Sequence, residues 1–503
     1  MGFWRPHKHF VTVPSRQQKS IDSGGGRRQR TAKVFLAVAA QKKSIGVFAL
    51  TMINLAAIMS LRNFTLMAPY GLAMVAMFAI AIVCFFIPTA MISAELAAAT
   101  SEEGGAYVWI RDALGAPAAF FCEWICFATT IASITMTSVF LSSSMAIAIC
   151  PEIGGGPFIF FSVSTIIWVA TILCMRGMAL TSRIVSLSTI LGSVLPSIFL
   201  IGLGIHRILS GNSSAMEFSA RALLPNLSDF SNISFLAGLM FAFAGIEMSS
   251  YYVNDVKNPR RTFPKAVLIS AATILLLFVL GSLSIAVTIA PDKIKLEAGV
   301  MQALAALLDG AHMKFLVPLF GFLIIFGAVA YIFAWIAGPV RGLYAVRHAG
   351  FLPPLLQKTD RNGLPVALML LQAVAVTAFA TLFLVIPSTG LCFWIINASS
   401  SLLILIFYGC LFLSGAILRR RRRGNGGHFT VPGGLFGTFS LAAIGLANVA
   451  FCCAISIFLP RELSGQMSPL PFAASVALAA LAMACPPAFF IWLRKPNWKP
   501  IGR

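Results

Sequence analysis

Apolar runs about 20 residues long recur along the chain with short polar segments between them, and this pattern restricts the fold more than any other feature. The run from Leu72 to Ala94 contains no charged residue. Its apolar residues are contiguous, as in a bilayer-spanning helix, whereas the strands of a membrane barrel alternate apolar and polar residues. Only 11% of the 503 residues are charged, against about 25% in soluble domains. The sequence therefore predicts an all-α polytopic membrane protein.

The apolar runs predict about twelve transmembrane helices, which we call spans 1 to 12 in chain order. Their expected ranges are 45–66, 71–99, 117–149, 157–175, 181–206, 231–252, 264–290, 314–344, 365–386, 391–417, 435–459 and 468–493.

The net charge of +21 is distributed unevenly between the two sides of the membrane. If the N-terminus is cytoplasmic, 30 of the 37 Lys and Arg residues fall on the cytoplasmic side. Because positively charged loops stay in the cytoplasm, both termini are predicted to be cytoplasmic, in a bacterial inner membrane. We attribute the excess of Lys and Arg to membrane topology and not to nucleic-acid binding.

Residues 1–43 are predicted to be a basic disordered tail, residues 44–494 the transmembrane domain and residues 495–503 a cytoplasmic C-terminus.

Span 6 combines a glycine with a carboxylate in the segment FAFAGIEMSS, Phe241 to Ser250. Gly245 costs a helix about 1 kcal/mol relative to alanine, and an intramembrane carboxylate such as Glu247 indicates a functional site. Such a glycine can interrupt the helix, and helices interrupted near the bilayer midplane are typical of transporters. The alternative stays open that Gly245 only allows close helix packing and that Glu247 is a structural group.

Span 1 is the candidate partner of span 6, but it carries no glycine between Thr51 and Asn63. The polar Asn54 lies in the middle of this stretch, followed by Ala57 and Ser60. A regular helix with one inter-helix hydrogen bond from Asn54 is therefore an alternative to a broken helix.

Five sequence elements, taken in their order and spacing, carry a resemblance to a known family. They are Glu95, Gly104, Gly105, Tyr107 and Trp109 after span 2; Phe241, Phe243, Gly245 and Glu247 in span 6; Lys257 to Arg261; Leu283 to Leu304; and Gly338 to Pro365. From about Ser44 to the last span, the chain resembles the amino acid–polyamine–organocation superfamily. The last two elements are most similar to its glutamate/γ-aminobutyrate antiporter branch.

The resemblance implies a LeuT-like fold with spans 1 and 6 broken. It consists of an inverted repeat of five spans, about 44–206 and 231–417, with two extra helices at 435–459 and 468–493. The resemblance also implies that freed amides of span 1 hold the substrate carboxylate and that carbonyls of span 6 face its ammonium group. Many members have a glycine-rich break in span 1, whereas this chain has Ala57-Ile58-Met59.

Two sets of site residues follow from the resemblance and from the reading of spans 1 and 6. The substrate-binding candidates are Thr51, Asn54, Ala57, Ile58, Met59, Phe241, Ala242, Phe243, Ala244 and Gly245. The candidates for gating or proton coupling are Glu247, Glu123, Trp335 and Phe333.

The implied function is secondary transport of amino acids or their amine derivatives, with substrate exchange favoured. Span 8 has no Ser or Thr from His312 to Leu343, so a sodium site built on its hydroxyls is not expected. A proton-coupled symporter of neutral amino acids and a non-transporting amino-acid sensor remain alternatives. The sequence has no continuous polar pore lining, which a channel would need, and no cluster of catalytic residues, which an enzyme would need. No metal or cofactor is expected.

Arg62 and Arg341 are placed near opposite ends of their spans, so no basic residue is expected at the midplane. Oligomeric state is left open.

Overall fold

The computed structural model describes residues 45–498 apart from 101, 103, 150–154, 177, 212, 225–235, 296–297, 361–362, 386–388, 422–428, 461–464 and 466. Within these residues the regular secondary structure is helical. Ten of the described helices are long and apolar enough to cross a membrane: Ala73–Ala99, Ala116–Ile147, Gly156–Cys174, Arg183–Leu209, Pro259–Ala286, Lys314–Ala349, Val366–Val385, Gly390–Arg421, Gly434–Ile455 and Pro469–Trp492. They are spans 2 to 5 and 7 to 12.

Spans 1 and 6 are the two interrupted helices. Span 1 is the bent pair Val47–Ile58 and Arg62–Tyr70, and span 6 is the shorter apolar segment Leu236–Tyr251. Each of the twelve predicted spans therefore has a counterpart, with ends that shift by a few residues. Two further helices, Ala106–Leu114 and Gly299–Gly310, lie outside the spans. The inverted-repeat relation and the domain boundaries stay predictions, and residues 1–43 lie outside the described residues.

The break in span 1 follows Ile58, where the axis bends by 48°. The backbone amide of Ser60 donates to the carbonyl of Ile58 over 2.8 Å, which closes a tight turn instead of continuing the helical ladder. The side-chain amide of Asn63 also donates to this carbonyl, at 3.5 Å. Hydrogen bonds therefore support the break without a glycine. The broken-helix prediction is confirmed, and the regular-helix alternative is wrong.

The break in span 6 lies between an α-helix, Leu236–Ala242, and a 3-10 helix, Ile246–Asp255. Gly245 has φ of +119°, a conformation that residues with a side chain rarely adopt. The glycine therefore permits the chain to leave the helix at the predicted position.

Span 3 is the central helix of the bundle, since its most apolar 18-residue stretch is entirely buried. Span 8 packs against spans 3, 1 and 5. Its contact with span 5 joins backbone to backbone at Gly192 and Gly327, and Gly192 lies in a π-helical turn, Ile190–Val194. Small residues allow such close approach between membrane helices. Span 8 is therefore packed closely against span 5 and also contacts span 1.

Candidate functional site

The breaks of spans 1 and 6 meet beside a tryptophan of span 8. The indole N–H of Trp335 donates to the carbonyl of Ala57 over 2.7 Å. A side-chain carbon added at Gly245 would lie 3.2 Å from Cζ2 of Trp335 and 3.4 Å from Cβ of Ala57. The structure therefore brings together three predicted site residues, and a side chain at position 245 would be tightly packed against the other two.

Tyr408 of span 10 connects the backbone of the span 6 break to its carboxylate. Its hydroxyl accepts a hydrogen bond from the backbone N–H of Gly245 at 2.8 Å and donates to Oε2 of Glu247 at 2.7 Å. The other carboxylate oxygen, Oε1 of Glu247, is buried and has no hydrogen-bond partner in the part of the chain that the structure describes. Sequence reasoning missed Tyr408, although a phenolic hydroxyl inside an apolar run is a signal that could have indicated it.

The two phenylalanines predicted to bind substrate have different surroundings. The ring of Phe243 lies in an aromatic cluster with Phe86, Phe278 and Phe78, at centroid distances of 4.9, 5.5 and 6.1 Å. Phe241 is 6% exposed and stacks on no other ring within the described residues. Phe243 therefore packs between spans 2, 6 and 7, whereas Phe241 is buried outside this aromatic cluster. Substrate contact by either residue stays a prediction.

Asn54 and Thr51 face span 7. The side-chain amide of Asn54 donates to the hydroxyl of Ser270 at 3.2 Å, and that hydroxyl approaches the carbonyl of Thr51 at 3.5 Å. Asn54 thus forms an inter-helix hydrogen bond between spans 1 and 7. Oδ1 of Asn54 and the hydroxyl of Thr51 are buried without partners in the described structure, so their predicted role in binding stays a prediction.

The other predicted residues lie at the breaks or on span 8. The carbonyl of Ala242 accepts a hydrogen bond from Asn63 at 3.5 Å, which links the two interrupted helices directly. Phe333 is buried, but it is two residues from Trp335 and so is rotated by about 200° around the helix. It therefore lies on another face of span 8 than Trp335. Ile58, Met59 and Ala244 are buried at the breaks.

Glu123 of span 3 is bound to the far end of span 6. The hydroxyl of Tyr251 donates to its two carboxylate oxygens at 3.0 and 3.2 Å. Glycines on both sides make room for this pair. A side-chain carbon added at Gly342 would lie 2.7 Å from the ring of Tyr251, and one added at Gly105 would lie 2.6 Å from it. The Gly105 element after span 2 therefore has a structural explanation in the packing of Tyr251.

Arg62 corrects the expectation that no basic residue reaches the middle of the membrane. Span 1 continues to Tyr70, so Arg62 is not near its end but begins the segment directly after the break. Its exposed fraction is 2%. The guanidinium lies 5.5 Å from the ring centroid of Phe393 on span 10 and interacts electrostatically with Tyr331 on span 8. Tyr331 in turn shares a hydrogen bond with Ser133 of span 3.

A family model described as amino acid permease matches residues 45–482. This chain belongs to the amino acid permease family. The permease is 32% identical over 413 residues to an uncharacterized transporter of Legionella pneumophila, covering 82% of this chain and 88% of the relative. It is 26% identical over 431 residues to a glutamate/gamma-aminobutyrate antiporter of Lactococcus lactis, covering 84% and 85%. A probable agmatine/putrescine antiporter of the same species is 23% identical over 353 residues, covering 67% and 72%. The permease is therefore an integral membrane transporter and not an enzyme.

Replacing Phe241 with alanine is expected to weaken substrate binding by this permease while the protein still folds. Losing the contact of a buried aromatic ring costs about 1–3 kcal/mol, or roughly 5- to 150-fold in affinity. The half-saturating substrate concentration of the purified variant measures the effect. Phe322→Ala is the matched control, because this ring of span 8 is exposed on the surface of the bundle. Unchanged affinity in Phe241→Ala would contradict the assignment.

Proposed function

We propose that this permease exchanges one amino acid for another amino acid or a related amine, in the manner of a glutamate/γ-aminobutyrate antiporter. The observation that carries the proposal is the convergence of both interrupted helices with Trp335 at Gly245. Interrupted helices expose backbone donors and acceptors inside the membrane, and these groups bind zwitterions and ions in secondary transporters. The antiporters among the relatives support exchange as the mode of transport.

The charged groups beside the breaks are consistent with a zwitterionic substrate. Glu247 has one carboxylate oxygen bound to Tyr408 and the other without a partner in the described residues. A free, buried carboxylate oxygen is a suitable acceptor for a substrate ammonium group or for a proton. On the other helix, Arg62 supplies positive charge just beyond the break. We infer that a molecule with both an ammonium and a carboxylate group suits this site.

Counterflow in proteoliposomes tests the proposal. Vesicles are loaded with one unlabelled amino acid or decarboxylated amine, and uptake of labelled amino acids from outside is measured across all common amino acids. Exchange predicts uptake that depends on the internal substrate, with unloaded vesicles as the control. Substrate binding without such uptake would indicate an amino-acid sensor and overturn the proposal.

Exchange is expected to continue when sodium is replaced by choline. The Ala57 carbonyl, which a sodium ion could otherwise use, accepts the indole N–H of Trp335, and span 8 has no hydroxyl from Ser or Thr between His312 and Leu343. Sodium prefers hard oxygen ligands, as other hard cations do. Initial rates of exchange in sodium and choline buffers of equal ionic strength measure the effect. A saturable dependence on sodium would contradict this expectation.

Proton-coupled symport of neutral amino acids is the second candidate, and the two buried carboxylates favour it. Glu123 and Glu247 are both buried in the bundle, and each is bound to a tyrosine hydroxyl. Intramembrane carboxylates of this kind serve as proton relays in transporters. Uptake into vesicles without internal substrate, driven by an imposed pH gradient, distinguishes symport from exchange.

For its location, we propose a bacterial inner membrane with both termini in the cytoplasm. The uneven distribution of Lys and Arg supports this orientation. A cysteine introduced at Asn425 should then react with an impermeant reagent only after the cells are opened.

A further inference from the structure

Arg62 is a buried cation without an anionic partner in the described structure. Its exposed fraction is 2%, and its Nε and Nη1 atoms form no hydrogen bond within the described residues. No acidic side chain of the described chain forms an ion pair with it, and Tyr331 is the titratable group that interacts with it electrostatically. The aromatic face of Phe393, 5.5 Å from the guanidinium, is its other neighbour of note.

These neighbours do not compensate for the burial of a full charge. A cation–π contact contributes about 0.5–2 kcal/mol, whereas removing an ion from water costs several kcal/mol even after the protein relaxes. Arginine remains charged in proteins, so it cannot avoid this cost by losing a proton. A buried guanidinium with two free donors is therefore suited to an anion that arrives from outside the chain.

The position of Arg62 connects it to the candidate site. It begins the segment after the span 1 break. On the span 8 side, the Tyr331 ring lies 5.8 Å from the ring of Trp335, and Trp335 is bound to the Ala57 carbonyl at the same break. Arg62 therefore lies four residues beyond Ile58, directly after the break at which Trp335 is bound. An anion bound to Arg62 would lie next to the break of span 1.

We propose that Arg62 is a specificity-determining residue that binds the ionised side-chain carboxylate of an acidic amino acid. The proposal rests on the proposed function, in which the α-amino and α-carboxylate groups are held at the breaks. A guanidinium presents several N–H donors in one plane and binds a carboxylate through charge-assisted hydrogen bonds. The same cation disfavours diamines that lack a carboxylate, because two like charges would be buried together.

Exchange and binding measurements on Arg62 variants test the proposal. For the wild type we expect glutamate or aspartate to be preferred over the corresponding amide, glutamine or asparagine, by about 30-fold or more, since an unpaired buried charge is costly. Arg62→Gln should lose most of the affinity for the acidic substrate and keep that for the amide within a few-fold, so that the ratio collapses. Arg62→Lys should retain part of the preference. Arg207→Gln is the control, because Arg207 contacts the backbone carbonyl of Ser213 in an exposed setting.

Thermal stability separates a role in binding from a role in folding. Without substrate, Arg62→Met should be at least as stable as the wild type, because an unpaired buried charge is removed. A lower stability in that variant, or an acid-to-amide ratio unchanged in Arg62→Gln, would overturn the proposal. If glutamate stabilises the wild type but not the Arg62 variants, and no exchange is measured, the Arg62 site is supported and the proposed exchange is overturned. Exchange of neutral amino acids with no preference for acidic ones would leave exchange standing and overturn the role of Arg62.

Discussion

Tyr408→Phe is expected to abolish most of the transport activity. The hydroxyl that this change removes binds both the Gly245 N–H and the Glu247 carboxylate, so two buried polar groups lose their partner. Each unsatisfied group costs about 1–3 kcal/mol, and a charged group costs more. Since both groups belong to the span 6 break, we expect exchange to fall by roughly 30-fold or more, measured as initial rate per folded protein.

Glu247→Gln is the companion variant, because glutamine can still accept the hydrogen bond of Tyr408 but cannot take up a proton. We expect this variant to change the pH dependence of exchange more than the amount of protein in the membrane. If Glu247→Gln fails to accumulate while Phe241→Ala exchanges normally, Glu247 is a structural group, and the substrate site has to be sought on spans 3, 8 and 10.

Gly192→Ala is expected to have the largest effect on folding. A methyl group at Gly192 would overlap the backbone nitrogen of Gly327 and lie 2.5 Å from the carbonyl oxygen of Leu323. Because the obstacle is backbone of span 8 and not a flexible side chain, spans 5 and 8 must separate, and we expect a cost at or above the upper end of the usual range of about 1–3 kcal/mol. The yield of monodisperse protein and its thermal stability measure the loss.

Gly202→Ala is the matched control on the same span, since a methyl group there meets no atom within 4 Å. It should keep wild-type stability, and alanine is the better helix former. Equal stability of the two variants would show that the contact between spans 5 and 8 is more adaptable than its geometry indicates.

The positions of the breaks could be predicted because local chemistry determines them. Gly245 adopts a conformation that glycine tolerates best, and it lies in a motif that the family shares. The break of span 1 could be placed only by resemblance, because no glycine or proline marks it. There Asn63, four residues beyond Met59, provides the hydrogen bonds to the Ile58 and Ala242 carbonyls.

The residues that line the site were harder to predict, because they come from distant parts of the chain. Tyr408 binds Glu247 across 161 positions of sequence, and Trp335 binds Ala57 across 278. The rotation of each helix is also weakly determined where a span is apolar on every side, so the sequence did not show that Asn54 faces span 7. Arg62 was misjudged because the end of span 1 was placed four residues too early.

The bridge between Ile45 and Val256 restricts how the two interrupted helices can move. The backbone N–H of Lys257 donates to the carbonyl of Ile45 at 2.9 Å, which fastens the segment leading into span 1 to the segment leaving span 6. Any rearrangement that parts these two segments has to break that hydrogen bond, worth about 0.5–1.5 kcal/mol. A rearrangement that preserves this hydrogen bond has to move the part of span 1 before Ile58 and the part of span 6 after Gly245 together, as one rigid unit. The hinges of this movement would then be the two breaks.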